Sequence, residues 1–313
     1  MASELNVLAL SGGVGGAKLA LGLSHELAPE NLTIVANTAD DFEHIGLWIS
    51  PDLDTVMYTL AGMNNQEQGW GLADESWNAM SAMERLQGET WFRLGDQDIA
   101  THLLRSQWLR EGKSITTVTQ ELCRRLGIQP RLLPMCNAKV TTIVHTDEGD
   151  LPFQRYFVGR QCSPVVKGFS FSGIEHAVMS EAVLQTIRQM DAVVVCPSNP
   201  FVSVAPILAV EGLKKSLLER SVPRIVVSPI VGGAAIKGPA AKMMKELNMP
   251  VNALTVAEYY KDFATHFVLD QQDAHLADAI SQLGYSVMQT NTIMKSLDDR
   301  CQLARDVLGL LPY

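Results

Sequence analysis

Leu5-Asn-Val-Leu-Ala-Leu-Ser-Gly-Gly-Val-Gly-Gly-Ala-Lys18 is an apolar run that stops abruptly at glycine. The same event recurs along the chain. Leu32-Thr-Ile-Val-Ala36 runs into Asn37-Thr-Ala-Asp-Asp41, Ala192-Val-Val-Val195 into Cys196-Pro-Ser-Asn-Pro200, and Arg224-Ile-Val-Val227 into Ser228-Pro-Ile-Val-Gly-Gly233. Short apolar runs bounded by glycine, proline, Asn and Asp read as strands buried on both faces. In an open parallel sheet the carboxyl ends of such strands face one crevice, where ligands bind. Small and polar residues there leave room for a ligand and offer it backbone N–H groups. The expected fold class is α/β: a Rossmann-like, mainly parallel sheet flanked by helices, with a nucleotide or phosphate site built from several strand ends.

The glycine segment sharpens that expectation. A helix over about 16–27 and the second strand complete one βαβ unit with a right-handed crossover. Glycine lets a ligand approach the backbone closely, and a helix N-terminus supplies free N–H groups and a positive dipole end. Gly12, Gly13, Gly15, Gly16 and Lys18 are therefore candidate phosphate contacts. A Walker A loop needs Ser or Thr after its lysine, and Leu19 stands there. A dinucleotide fingerprint read from Gly13 through Gly15 ends on Lys18 instead of glycine, which counts against an NAD(P) oxidoreductase. The bland alternative is a tight strand–helix turn with no ligand; four glycines in five residues argue against it.

With 313 residues, 47% hydrophobic and 19% charged, the chain can bury a substantial core as one domain, 1–313. A net charge of −9 argues against nucleic acid as a partner, which needs a basic face. The five scattered cysteines form no CxxC pair and suggest buried thiols in a reducing compartment. No apolar stretch approaches the ~20 residues needed to span a bilayer, and the N-terminal pattern is not that of a signal peptide. A cytoplasmic protein with no membrane partner is expected.

From about 56 to 127 the strand pattern gives way to helical periodicity. Ser76–Leu86, Asp98–Glu111 (Asp98 as N-cap, Gly112 as stop) and Thr116–Leu126 (closed by Gly127) read as helices of a cap inserted over the sheet. Trp70, Trp77, Trp91 and Trp108 fall in it, with Trp48 just before. Most of these read as packing of a small cap core. The other reading is aromatic stacking on a planar heterocycle, with Arg93 orienting its sugar or phosphate. Lys139-Val-Thr-Thr-Ile-Val-His145 and Phe153-Gln-Arg-Tyr-Phe-Val158 read as a small β-hairpin over about 139–158. The α/β alternation resumes near 176, with His266–Asp270 a further strand.

Asp40, Asp41, Asp52 and Asp54 lie within fifteen residues of one another beside the expected phosphate site. Carboxylates repel phosphate unless a cation intervenes, and Mg2+ is commonly held by one or two carboxylates plus phosphate oxygens. The structural alternatives are a helix N-cap for Asp52 or Asp54 and a turn for Asp40-Asp41. In Pro197-Ser-Asn-Pro200 the prolines pin Ser198 and Asn199 in one direction, as phosphate or base contacts or as a plain Asx turn.

Leu10-Ser-Gly-Gly-Val-Gly-Gly-Ala-Lys-Leu19, Asn37-Thr-Ala-Asp-Asp41, Ile49-Ser-Pro-Asp-Leu-Asp-Thr55, Arg93-Leu-Gly-Asp96, Ala100-Thr-His102, Pro197-Ser-Asn-Pro200, Ser228-Pro-Ile230, Gly238-Pro-Ala240 and Val256-Ala-Glu-Tyr-Tyr260 cover nearly the whole chain. In that order they resemble the 2-phospho-L-lactate transferase (CofD) family of deazaflavin coenzyme F-420 biosynthesis. The resemblance implies a Mg2+-dependent transferase. Its donor is a guanylylated three-carbon acid and its acceptor the terminal ribityl hydroxyl of the deazaflavin FO; GMP leaves. By position it implies FO contacts at Asp54 and Arg93, and a diphosphate held by the glycine segment with Ser198 and Asn199. It further implies Mg2+ on one or two of Asp40, Asp41 and Asp54, with Asp54 as the catalytic residue that orients the hydroxyl. A homodimer is also expected from it. Phospholactate, phosphoenolpyruvate and phosphoglycerate are not distinguished. The alternative is a non-catalytic nucleotide-binding regulator of the gluconeogenesis-factor type, which shares the glycine segment; the Ser-Pro-Asp-Leu-Asp-Thr and Arg-Leu-Gly-Asp stretches fit the transferases better.

Overall fold

The apolar runs alternate between two cores. Val7 and Ala9 face one, Leu8 and Leu10 the other; Val194 and Val193 divide in the same way, as do Ile225 and Val226. A strand covered on both sides has no polar face, which is why these runs show no polar alternation. In the computed structural model, which describes residues 5–311, the chain order of the first half is β1 (Val7–Ser11), α1 (Gly13–Glu26), β2 (Leu32–Ala36), β3 (Phe42–His44), β4 (Leu47–Ile49), α2 (Pro51–Leu60), α3 (Asn78–Arg85), α4 (Asp96–Arg110), α5 (Ile115–Arg125), β5 (Arg131–Pro134), β6 (Thr141–Thr146), β7 (Gly149–Pro152) and β8 (Val166–Ser172). The second half holds β9 (Ala192–Val195), β10 (Arg224–Val227), β11 (Ile230–Val231), β12 (Ala234–Ala235), β13 (His266–Asp270), β14 (Ser286–Thr290) and a C-terminal helix, Leu297–Leu308.

Seven strands make one parallel sheet in the order β14-β13-β10-β9-β1-β2-β5. The chain builds outward from β1 through β2 to β5, then returns to the other side of β1 with β9. The order reverses between β1 and β9, the point where open α/β sheets place their ligands. The expected α/β class therefore stands. The edge strands β5 and β14 carry too few apolar residues to show in the periodicity: β5 is four residues ended by Pro134, and β14 is half polar. Among the described residues no helix is long and apolar enough to cross a membrane, and all five cysteines are free thiols.

Three local expectations are corrected. The first helix starts at Gly13, not near 16, so Gly15 and Gly16 lie inside its first turn. The hairpin is β6 with β7, extended by β8 into a three-stranded antiparallel sheet. Residues 155–159, expected as its second strand, wind helically and bury Tyr156; Phe153, Tyr156 and Phe157 have the i, i+3, i+4 spacing of one helical face. The helical span 56–127 also divides. Val56, Met57 and Tyr58 in α2 and Val118 and Leu122 in α5 pack in the core against the sheet, as does Trp108. The stretch between α2 and α4 reaches the start of α1, where Gly69 lies beside Val14. Asp98 is not an N-cap: α4 begins at Asp96, and Glu75 accepts from the N–H groups of Gln97 and Asp98. Asp96 in turn accepts from the N–H groups of Asn78 and Ala79 that open α3. The two helix starts cap each other, satisfying donors that a helix leaves free.

Candidate functional site

The glycines are required first by the protein itself. A Cβ at Gly15 would stand 2.3 Å from the Pro197 carbonyl oxygen, and one at Gly16 2.6 Å from Ser198 Oγ. A Cβ at Gly12 would stand 2.5 Å from Ser203 Cβ. Any side chain at these positions would push the β9 loop off the helix start. With glycine the two strand ends meet, and the Gly12 N–H donates to Ser198 Oγ at 3.1 Å. Gly13 adopts φ +64°, the left-handed region that favours glycine, and its N–H donates to Asp52 Oδ1 at 2.7 Å. Asp52 therefore caps α1, not its own helix. Asn37 Nδ2 holds the other Asp52 oxygen at 2.9 Å.

Four carboxylates are gathered here in the interior: Asp40, Asp41, Asp52 and Asp54 are each at most 6% exposed. Burial lifts Asp52 to about 6, against the hydrogen bonds from Asn37 and Gly13. Burial raises Asp41 to about 8, opposed by the Ser50 hydroxyl, the Arg105 charge and the Trp48 indole. Asp40 lies well above the ordinary carboxylate range, through burial and then the neighbouring Asp52 charge. Asp40 and Asp41 each keep a buried Oδ1 with no hydrogen-bond partner.

Arg105 answers the cluster. It is 1% exposed and holds Asp54 with two parallel bonds, Nη1 to Oδ2 at 2.9 Å and Nη2 to Oδ1. Burial works against its charge, yet Asp54, by charge and hydrogen bond, raises the guanidinium above its ordinary value. Nη1 also contacts His102 Nδ1 at 3.1 Å. A guanidinium only donates, so Nδ1 accepts and the imidazole proton sits on Nε2, 3.2 Å from Asp98 Oδ2. Tyr58 donates its hydroxyl to the other Asp98 oxygen at 2.5 Å. Burial pushes Asp98 up, but His102 and Tyr58 bring it below the usual range. A chain of polar groups thus joins Asp54 to Asp98.

Asp98 opens on a cavity of about 220 Å3 formed by residues 65–98, lined also by Trp70, Trp77, Glu75 and Arg93. The Arg93 guanidinium lies 4.6 Å from the centre of the Trp77 ring. Trp91 and Trp108 do not line it. Trp91 packs on Phe42, His44 and Phe92, and Trp108 is core. Trp48 borders a second cavity of about 250 Å3 on the far side of Asp41, with Lys113, Asn137 and Lys139.

Gly12 and Gly16 meet Ser198, Gly15 meets Pro197 and Gly13 meets Asp52, while Asp40, Asp41 and Asp54 join Asp52 in the buried carboxylate cluster. Three other candidates point elsewhere. The Asn199 side chain accepts from Phe201 N–H at 2.9 Å and donates toward Met243 Sδ, the Asx turn weighed above. Lys18 reaches along α1 to the Met294 carbonyl at 2.8 Å. Arg93 belongs to the cap cavity. Sequence reasoning missed Asp52 as the cap of α1, and missed Arg105. The one signal for Arg105 was electrostatic: four clustered carboxylates require a buried cation.

Known proteins resemble the chain over its length. A family profile described as 2-phospho-L-lactate transferase CofD matches residues 7–294. A 2-phospho-L-lactate transferase of Methanosarcina acetivorans is 38% identical over 97% of this chain and 98% of its own. A phosphoenolpyruvate transferase of Kitasatospora aureofaciens is 37% identical over 98% of each. A solved Bacillus halodurans protein shares the fold, with TM-score 0.64 over 97% of this chain and 99% of that one at 14% identity.

Proposed function

The chain belongs to the 2-phospho-L-lactate transferase CofD family of transferase enzymes, and from that premise we propose that it builds the coenzyme F-420 precursor. It moves a phosphorylated three-carbon acid from a guanylylated donor to the ribityl hydroxyl of FO and releases GMP. The observation that carries this reading is the meeting of the glycine segment, Ser198 and the acidic cluster at the point of strand reversal. In-line phosphoryl transfer needs positioning and charge neutralisation more than covalent help. The helix-start N–H groups beyond Gly13, which an α-helix leaves without intrahelical partners, hold the diphosphate. Asp54, fixed by Arg105, accepts from the attacking hydroxyl. Arg93 and Trp77 hold the deazaflavin ring, and the cap excludes water, the competing nucleophile.

A cation fits the donor set. The unpartnered Oδ1 atoms of Asp40 and Asp41 are hard oxygen donors, whereas Asp54 has both oxygens on Arg105. Among the described residues no three His, Cys, Asp or Glu side chains form a metal cluster; Mg2+ commonly takes one or two carboxylates and completes its shell from phosphate and water. Asp40 and Asp41 would hold it, and bound Mg2+ supplies charge neutralisation at the phosphoryl oxygens.

The deciding experiment supplies FO, Mg2+ and, in turn, the guanylylated forms of phospholactate, phosphoenolpyruvate and phosphoglycerate, with products identified by mass. GMP release that does not depend on FO would remove the transferase reading. Arg93→Ala is expected to weaken FO about tenfold, the equivalent of ~1.4 kcal/mol of cation–π and ring contact, read by fluorescence polarisation of the deazaflavin. An unchanged affinity places the ring elsewhere.

The carboxylates also predict a pH dependence. Asp40, Asp41 and Asp52 are raised above the unfolded value, so the folded state binds more protons. Their contribution to stability is fully present below about pH 4 and is lost as pH rises through about 6 and 8. In chelator, Tm should fall between about pH 5 and about pH 8.5, and Mg2+ should restore it at the upper pH while adding little at the lower. Equal Mg2+ shifts at both would take the cation off these residues.

A further inference from the structure

Two helices meet along a polar stripe each. Asp54 and Tyr58 lie one turn apart on α2, and Asp98, His102 and Arg105 follow one another at spacings of four and three on α4, so each set lines one helix face. The contacts between the stripes close a circuit. Arg105 holds Asp54 through both Nη atoms, and its Nη1 lies 3.1 Å from His102 Nδ1. His102 Nε2 stands 3.2 Å from Asp98 Oδ2, and Tyr58 donates to Asp98 Oδ1 at 2.5 Å. One turn of α2 then leads from Tyr58 back to Asp54. Tyr58, His102 and Arg105 are each 1% exposed, so these contacts are made away from water.

The imidazole is the member with two distinct ends. Arg105 Nη1 carries two hydrogens; one goes to Asp54 Oδ2 at 2.9 Å and the other to His102 Nδ1. Arg105 Nε has no partner, and among the described residues the guanidinium hydrogen-bonds no side chain except Asp54 and His102. His102 is therefore the outside support that fixes how the guanidinium is turned, and with it the direction of the Asp54 carboxylate. The other end of the ring faces Asp98, which stands in the wall of the cavity with Arg93 and Trp77. A flat ring with one acceptor and one donor at fixed separation transmits the position of one neighbour to the other.

We infer that His102 is a positioning residue: it ties the Asp98 carboxylate in the cavity wall to the Arg105 guanidinium that aims Asp54. Its Nδ1 end serves the step at Asp54, and its Nε2 end serves the ligand held in the Arg93–Trp77 cavity. The identity of that ligand rests on the transferase reading, in which it is the deazaflavin acceptor and Asp54 accepts from its hydroxyl; the tie itself does not.

The test uses substitutes that keep one end each. His102→Leu removes both ends and is expected to slow single-turnover GMP release at saturating FO by about tenfold or more and to weaken FO about threefold to tenfold, read by polarisation. In His102→Asn the amide oxygen stands where Nδ1 stood and accepts from Arg105, so most of the lost rate should return while FO stays weak. In His102→Gln the longer amide reaches Asp98, so FO affinity should return while the rate stays low. If His102→Leu does not fold, the contrast between Asn and Gln carries the test. A histidine that only fills space would move Tm and leave these two variants alike; that result, or parental rate and affinity in His102→Leu, overturns the inference. Nitrogen NMR of the unliganded parent should show a bare Nδ1 and a protonated Nε2. A proton on Nδ1, which lies 3.8 Å from Asp54 Oδ2, overturns it as well. A parent that has this tautomer but no FO-dependent release removes the transferase reading and keeps the tie between Asp98 and Arg105. Normal release with the opposite tautomer does the reverse.

Discussion

Arg105→Leu should destabilise the protein by about 3–5 kcal/mol, the usual result of removing one partner of a buried ion pair. The loss is not that of a single contact. The guanidinium neutralises Asp54 through two bonds and lowers Asp41 by its charge, and it supplies the donor that fixes the His102 tautomer. Without it, Asp54 is a carboxylate in an interior with no cation and must take a proton or leave the core, and Asp41, already raised by burial, is raised further. Urea unfolding checks the magnitude. Leucine at both 54 and 105 should recover much of the loss, since a buried pair replaced as a whole is often neutral. The double variant should still be inactive, which separates the pair's part in stability from its part in the reaction. If Arg105→Leu unfolds within about 1 kcal/mol of the parent, the pair is hydrated and the interior account is wrong.

The legibility of the chain follows the same division between apolar and polar forces. β1, β2, β9 and β10 were readable because both faces of each are buried, so every residue in the run reports the sheet. The glycine segment was readable because close approach excludes every other residue; the structure adds that the Pro197 carbonyl and Ser203 are what approach. The polar network was not readable. On α4, Leu103 is 51% exposed while His102 and Arg105 are buried, the reverse of what hydrophobicity assigns. The inward turn of His102 and Arg105 on that helix is set by a carboxylate some fifty residues earlier, Asp54, while Trp108 on the same helix packs in the apolar core. The capping of α1 by Asp52 was not readable for a related reason. Asp52 lies in the first turn of its own helix, where an acidic residue is ordinary, and its bond to Gly13 spans 39 residues.

Asp54→Asn is expected to reduce transfer by about 10²–10⁴-fold, the usual share of a positioned proton acceptor. The substitution keeps the shape and removes the charge. Arg105 grips both Asp54 oxygens, yet each carboxylate oxygen has two lone pairs, so a bidentate guanidinium leaves an acceptor direction free on each. The amide offers one oxygen, which Arg105 would claim, and turns an NH2 group toward the place where the hydroxyl proton must go. The fall should appear in single-turnover GMP release at saturating FO, because the deficit lies in the step and not only in binding. FO affinity, followed by polarisation, should drop less than the rate. Stability should also fall by less than in Arg105→Leu, since the guanidinium keeps an acceptor and loses only part of its counter-charge. Parental turnover in Asp54→Asn would move the proton acceptor to another group of the cluster and leave Asp54 as the anchor of Arg105 alone.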